Sequence, residues 1–240
     1  MLVVLAGRDD LPAQRLVAGW PDTARVLTCG DLCRPGWCYR PGRPGGTAVV
    51  DGESVDVAEL EGVLTRLPAA MPNELREIDP NDRQYVASEM TACLVAWLSE
   101  LECPVLNRPA PWSLMGPPWA PERWTLEAGR LGIPVVEARS VVADLPAAAP
   151  PAAGSPAADS GRDLTTVTVV GRRVIGDTTE IHGEAALRLA GAAKVQLLRV
   201  HFSAEEGRPP RFTAADFWLD LDDPRVAAAL PACLEEACSP

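Results

Sequence analysis

Residues 144–161 read DLPAAAPPAAGSPAADSG, a tether of eighteen residues with seven alanines and four prolines. Proline interrupts any helical register there, and no run of large apolar side chains exists to seat a strand, so this segment supplies nothing to a core. A structureless connection of that length is uncommon inside a compact domain and marks a linker or a functional loop. The sequence therefore divides into two α/β-patterned flanks, residues 1–143 and 162–240, with the tether at 144–161 between them.

The flanks hold enough material for a core. Of 240 residues, 47% are hydrophobic and 23% charged, the balance of an ordinary globular chain. Acidic groups outnumber basic ones, 33 to 22, for a net charge of -11. That charge repels phosphate backbones and anionic bilayers, which argues against nucleic acid and membrane as partners. No apolar run approaches the roughly 20 residues that cross a bilayer. The opening MLVVLAGRDD reads as a first strand, not a secretion signal, so a cytoplasmic protein is expected.

Seven cysteines raise the question of metal. Cys29, Cys33 and Cys38 lie close together in TCGDLCRPGWC, yet structural zinc and iron–sulfur clusters need a fourth ligand, and both histidines, His182 and His201, are far downstream. The expectation is no metal and scattered reduced thiols, with Cys93 on the apolar side of a helix and Cys103 and Cys233 packed.

Strand and helix patterns alternate along the chain. LVVLA (2–6), a polar helical stretch to Gly19, and ARVLT (24–28) form a strand-helix-strand unit with parallel strands. The Gly, Pro and Arg-rich stretch 29–46 reads as loop, and TAVVDGESVDV (47–57) as a hairpin turning at Asp51-Gly52. GVLTRLP (62–68) is a strand. A helix then starts with Asp79 as N-cap and Pro80 in the first turn, its stripe being Tyr85, Val86, Met90, Cys93, Leu94, Trp97 and Leu98. The short strand in CPVLNRP delivers Asn107 and Arg108 to a proline-rich loop. A helix over 121–131 and extended chain at IPVVEA (133–138) follow. Beyond the tether come two strands in TTVTVVGRRVIGD turning at Gly171, a helix over 184–192, strands KVQLLRVHF and RFTAADF, and a last helix over 223–236.

These segments carry a resemblance. VVDGESVDVAELEGVLTRLP, DRQYVASEMTACLVAWLSEL, CPVLNRP and PERWTLEAGRLGIPVVEARS together resemble the N-terminal and linker portion of ATP-grasp ligases of the ribosomal-peptide-modifying and glutathione-synthetase-like kind. VTVVGRRVIG, VQLLRVHFSAEEG and RFTAADFWLDLDDP are similar to the C-terminal lobe of that family. The resemblance implies an α/β fold: a Rossmann-like preATP-grasp domain with a parallel sheet and a linker helix over 1–143, then a smaller α+β remnant of the C-terminal lobe over 162–240. It also implies ATP-dependent carboxylate-amine ligation with magnesium. This chain departs from it where the family carries a nucleotide-binding subdomain with phosphate-contacting lysines, an interval that here is the tether. The only lysine is Lys194. The family's metal-binding aspartate, glutamate and asparagine fall on His201, Ala214 and Asp216, and one carboxylate is too few for the oxygen clamp of magnesium. ATP and magnesium are therefore not expected to bind in the family manner.

In open α/β sheets, ligands sit beyond the carboxyl ends of parallel strands, where the resemblance would gather Gly7, Arg8, Arg66, Asn107 and Arg108. Arginine forks there suit a carboxylate or phosphate, and the ligand expected is a small carboxylate or peptide. In the alternative, Arg66 pairs with a carboxylate of the following helix, for instance Glu89, and Arg108 is solvated. Trp112, Trp119 and Trp124, with Met115, make an apolar loop that serves as pocket wall, partner surface or lid. The ligand-binding candidates are Arg8, Arg66, Asn107, Arg108, Trp112 and Trp119, while Trp20, Trp37, Trp97 and Trp218 are packing residues. Neither histidine shows triad partners, and no G-x-S-x-G, Walker-type or dinucleotide glycine pattern occurs, so no catalytic residue is named. Two function classes stand. One is a noncatalytic binding or scaffold component of a peptide- or amino-acid-modifying pathway, with a peptide, small carboxylate or pathway protein as partner. The other is an enzyme completed by homodimerisation or a partner subunit.

Overall fold

The computed structural model describes residues 1–136, 163–177, 179–204 and 211–238, so the tether and the end of the IPVVEA segment lie outside the described residues. β1 (Leu2–Leu5) is buried on both faces, as a parallel strand covered on both sides must be. The chain leaves it through Gly7 into α1 (Leu11–Ala18), where Ala13 N donates to the Asp10 carboxylate at 3.1 Å and caps the helix. β2 (Ala24–Leu27) returns parallel to β1. The stretch expected to be loop opens instead with one helical turn, α2 (Cys29–Leu32). Asp31 holds it, its Oδ2 accepting from both Thr28 N and Thr28 Oγ1 at 2.9 Å, a local pairing that outweighs the glycine beside it.

β3 (Thr47–Val50) and β4 (Glu53–Asp56) form the expected hairpin, with Asp51 and Gly52 both at positive φ, 51° and 79°, as its tight turn demands. β5 (Gly62–Thr65) lies parallel to β1 on the side away from β2. α3 (Arg83–Glu100) begins one turn later than expected, because the Asp79 carboxylate accepts from Asn81 N at 2.9 Å and folds 79–82 into a turn of its own. Its buried face is Ala87, Leu94, Trp97 and Leu98. Tyr85 and Cys93 are exposed, which corrects the stripe: Tyr85 is about two and a half turns from Leu94 and so points the opposite way. β6 (Val105–Leu106) completes an all-parallel sheet of order β2-β1-β5-β6.

α4 (Pro121–Arg130) ends before Gly132, and Val135 forms a parallel bridge to Phe212. β7 (Asp163–Val170) and β8 (Arg173–Ile175) turn at Gly171. α5 (Glu180–Ala193) starts about a turn earlier than expected. Gly183 does not break it, and it lets the helix pack tightly on β8: a Cβ there would sit 3.2 Å from the Val174 side chain. β9 (Leu197–Ala204) and β10 (Arg211–Asp216) complete an antiparallel sheet of order β10-β9-β7-β8, and α6 (Pro224–Cys238) follows. β10 bulges between Phe212 and Ala214.

One face of the parallel sheet packs Val3, Leu5 and Val63 against Leu94, Trp97 and Leu98 of α3. The other packs Leu2, Val4, Leu64 and Leu106 against Leu16 of α1 and against Leu197, Leu219, Val226 and Leu230 from beyond the tether. A third cluster lies between the antiparallel sheet, α4 and α5. The sheets thus share a core, and that shared core decides which strand ends remain open.

Candidate functional site

The strand order reverses between β1 and β5, the place where a parallel sheet opens a crevice. Here it is filled. Arg66, only 7% exposed, donates from Nε to Asp10 Oδ2 at 2.8 Å and from Nη1 to Leu219 O at 2.9 Å, and its guanidinium lies 5.6 Å from the Trp218 ring centroid. Its carboxylate partner is therefore Asp10 at the start of α1, not Glu89 on α3. The crevice is occupied by protein, with the 217–221 segment lying across it.

The other expected site residues separate. Asn107, 3% exposed, spends its whole side-chain amide on the join between the sheets: Oδ1 accepts from Gln196 N at 2.9 Å and Leu197 N at 2.8 Å, while Nδ2 donates to Leu197 O at 2.8 Å and Met115 O at 3.3 Å. Arg108 reaches back to Ser99 O at 3.5 Å on the surface. Trp112 is 85% exposed. Trp119 packs at a tilt against Trp124, 4.6 Å between ring centroids, with the Arg123 guanidinium over its face, and Trp124 continues to Phe217 at 5.9 Å. The tryptophan-rich loop thus divides into a packed ladder and one outlying ring.

Arg8 alone of the six faces a cleft, a cavity of about 500 Å³ at the carboxyl ends of β1 and β2. Its other walls include Thr28, Asp31, Arg34, Asp51 and Glu77. The β3–β4 turn closes one side, Asp51 N donating to Val26 O at 3.2 Å. Two glycines make room for the two arginines. A Cβ on Gly30 would stand 2.8 Å from Arg8 Nη2, and one on Gly52 would stand 2.5 Å from Arg34 Nη1. Among the described residues both arginines have only long ion pairs, Arg8 to Glu77 at 3.4 Å and Arg34 to Asp31 at 3.9 Å, which leaves donor capacity toward the cleft. Behind Arg8, Glu74 presses against Gly7, and burial pushes its carboxyl up from the usual range.

A second polar surface lies on the antiparallel sheet. Alternation sends Val167, Val169, Leu198, Val200 and Phe202 into the core and Thr166, Thr168, Arg199 and His201 to the opposite face. The β10 bulge brings Ala214 opposite His201 and Asp216 opposite Arg199. Asp216 Oδ2 accepts from His201 Nε2 at 2.9 Å and from Arg199 Nη2 at 3.1 Å, and Oδ1 accepts from Arg199 Nε at 3.1 Å and Trp218 N at 2.7 Å. Thr166 Oγ1 lies 3.1 Å from His201 Nδ1. Burial by itself would raise the Asp216 carboxyl, but the His201 hydrogen bond and the Arg199 charge hold it below the usual carboxylate range. Sequence reasoning left His201 without partners. The signal was present in the period of two that puts residues 166, 199, 201 and 216 on one face, but the bulge hid it.

Cys29 is buried, Cys33 half-buried and Cys38 exposed, and among the described residues no group of three His, Cys, Asp or Glu side chains converges to hold a metal. Cys233 is packed, as expected, while Cys103 is half-buried. No helix among the described residues is long and apolar enough to cross a membrane. Lys194 sits in the left-handed conformation that ends α5, exposed and outside the Arg8 cleft.

No family model and no curated protein matches this sequence. Solved structures do. The macrocyclase MdnC of Microcystis aeruginosa MRC, bound with its precursor peptide MdnA, is similar with a TM-score of 0.65 at 12% identity, covering 98% of this chain and 100% of that one. The ATP-grasp ligase PsnB complexed with a minimal precursor gives 0.64 at 15% identity over 99% and 97% of the two chains. A RiPP-associated ATP-grasp ligase of Chryseobacterium gregarium, in complex with ADP and a leader and core peptide, gives 0.62 at 11% identity over 98% and 96%. Its parallel sheet joined to an antiparallel one thus gives this chain an ATP-grasp-like fold, the fold its sequence segments resemble.

Proposed function

We propose that this chain is a binding component of a peptide-modifying pathway, built on an ATP-grasp-like fold, that does not hold magnesium-ATP in the family manner and does not itself ligate. The state of Asp216 carries this reading. It is the one carboxylate at the three positions that the resemblance gives to metal ligands, and both its oxygens already accept from Arg199, His201 and Trp218 N. Magnesium requires several free oxygens in an octahedral array, and a guanidinium within hydrogen-bonding distance of the carboxylate repels a dication. The residues present do not fit the metal. The sole lysine, at the end of α5, does not line the Arg8 cleft, where it could contact phosphates.

The proposed ligand is a peptide or small amino acid held at the cleft of Arg8 and Arg34. Solved proteins of this fold are bound with precursor, leader or core peptides, which supports a peptide partner. The cleft offers guanidinium forks for a carboxylate and the carboxylates of Asp51 and Glu77 for an amine. Isothermal titration with magnesium-ATP is expected to give no binding heat, and micromolar affinity would overturn the reading. A thermal-shift screen with free amino acids and short peptides is expected to raise the unfolding midpoint, and Arg8→Ala to cancel the rise. A rise that persists in Arg8→Ala would remove the cleft from the argument.

A further inference from the structure

We propose that Thr166, His201 and Asp216 form an acyl-transfer relay on the polar face of the antiparallel sheet, and that the cleft beside them accepts carboxylic esters carrying a positive charge. This goes beyond the binding role above and does not rest on it.

The chemistry follows from which atoms can hold protons. An ionised Asp216 only accepts, so the His201 nitrogen at 2.9 Å, Nε2, carries a proton and donates it. In the neutral ring Nδ1 is then a bare acceptor, 3.1 Å from Thr166 Oγ1, within reach of a general base to its nucleophile. The roles are those of a nucleophile, a base and an orienting carboxylate, with the two ring nitrogens exchanged relative to the familiar arrangement. Arg199 fixes Asp216 through two nitrogens, which fixes the ring in turn. Burial is graded in the useful direction: His201 is buried and Thr166 is exposed.

Thr166 opens onto a cavity of about 470 Å³, which Arg199 and Arg225 also line. The Arg199 guanidinium lines the same cavity as Thr166 and supplies positive charge for an acyl oxygen that gains charge there. Asp177, Asp220 and Asp223 line the same cavity. Arg225 is paired with Asp177 at 3.3 Å and Asp223 at 2.9 Å, so three carboxylates face two cations, one of which is already held by Asp216. A cationic substrate group is favoured there.

In the first step Thr166 Oγ bonds to the ester carbonyl carbon as its proton passes to His201 Nδ1. The carbon–oxygen bond to the leaving alcohol then breaks, and the alcohol takes that proton. In the second step water attacks the acyl-threonine, gives its proton to Nδ1, and Thr166 leaves with the proton restored. No oxidant, reductant or metal is needed.

The test uses the full chain with p-nitrophenyl acetate and with benzoyl-arginine ethyl ester. An acetyl group found on Thr166 by peptide mass spectrometry is expected. Thr166→Val keeps the branched shape on an exposed strand position and is expected to lower nitrophenolate release about 10²-fold, while Thr166→Ser retains it. The arginine ester is expected to turn over faster than its uncharged norleucine counterpart. An unchanged rate in Thr166→Val, or acetylation confined to Lys194, cysteine or the amino terminus, would overturn the relay. Neither result bears on the magnesium-ATP titration, so the two readings fail separately.

Discussion

Asn107 and Leu197 bond to each other in both directions, the amide Nδ2 donating to Leu197 O and Oδ1 accepting from Leu197 N, each at 2.8 Å. Ninety positions apart in the chain, they fasten β6 to β9 at the seam between the two sheets. Gly116 lies against this join, where a Cβ would approach Asn107 Cβ to 3.2 Å. Asn107→Ala is expected to cost about 3 kcal/mol, because the backbone groups at 115, 196 and 197 are then buried without a partner. Asn107→Asp keeps the acceptor and loses the donor, so it should fall between. Urea unfolding measures both, and a loss within experimental scatter would show that the seam holds without the amide.

Arg66 is buried and Asp10 nearly so, so breaking the pair strands a charge largely out of water. Arg66→Ala is expected to lose about 3–5 kcal/mol. The double variant Arg66→Ala with Asp10→Ala should lose less than the sum of the singles, since neither charge is then left alone. Additive losses in equilibrium unfolding would contradict this account.

Acid should unfasten β9 from β10. The Asp216 carboxyl titrates below its unfolded value of about 3.9. Its ionised form therefore contributes stability that is present above about pH 4 and is lost as pH falls through the lower folded value. Asp216→Asn should be less stable than wild type near neutrality, with the gap narrowing below about pH 4. Denaturant midpoints measured across that range check the sign, and a gap constant with pH would refute it.

Thiol chemistry should discriminate sharply among the cysteines. Burial, aided by Glu74, pushes Cys29 up to about 12, and burial pushes Cys233 to about 11. Cys38 is exposed. Iodoacetamide at neutral pH should alkylate Cys38 first and reach Cys29 and Cys233 only in denaturant, as peptide mapping would reveal. Modification of native Cys29 at a comparable rate would mean that the pocket behind Arg8 opens readily.

Much of the fold was legible because local and global signals agree. The apolar runs at 2–6 and 62–65, the Asp51-Gly52 turn and the Gly171 turn each specify their elements without help. The α2 turn was hidden because a capping pair inside a glycine- and proline-rich stretch carries no hydrophobic period. The site was less legible. Arg66 and Asn107 stand at strand ends in sequence, where ligands are expected, but the segment beyond the tether folds back onto those ends and takes their hydrogen bonds. That depends on partners 153 and 90 positions away, which no local pattern reports. Arg8 escaped because it lies on the flank of β1 that the returning segment does not cover.

The bulge in β10 sets the parity of everything after it. Phe212 turns inward, yet beyond the extra residue the even-numbered positions, 214 and 216, turn outward and the odd ones, 215 and 217, turn inward. Thr213 thus behaves as a frame marker. Pairing it like its neighbours would exchange the two sides of the strand from there onward, driving a carboxylate toward the core and lifting two apolar side chains into water, whereas removing it would leave 212, 214, 215 and 216 in plain alternation with the same facing. A one-residue slip of pairing here is therefore a larger event than most substitutions, and its effect would spread to α4 and α5, which pack on the inner side.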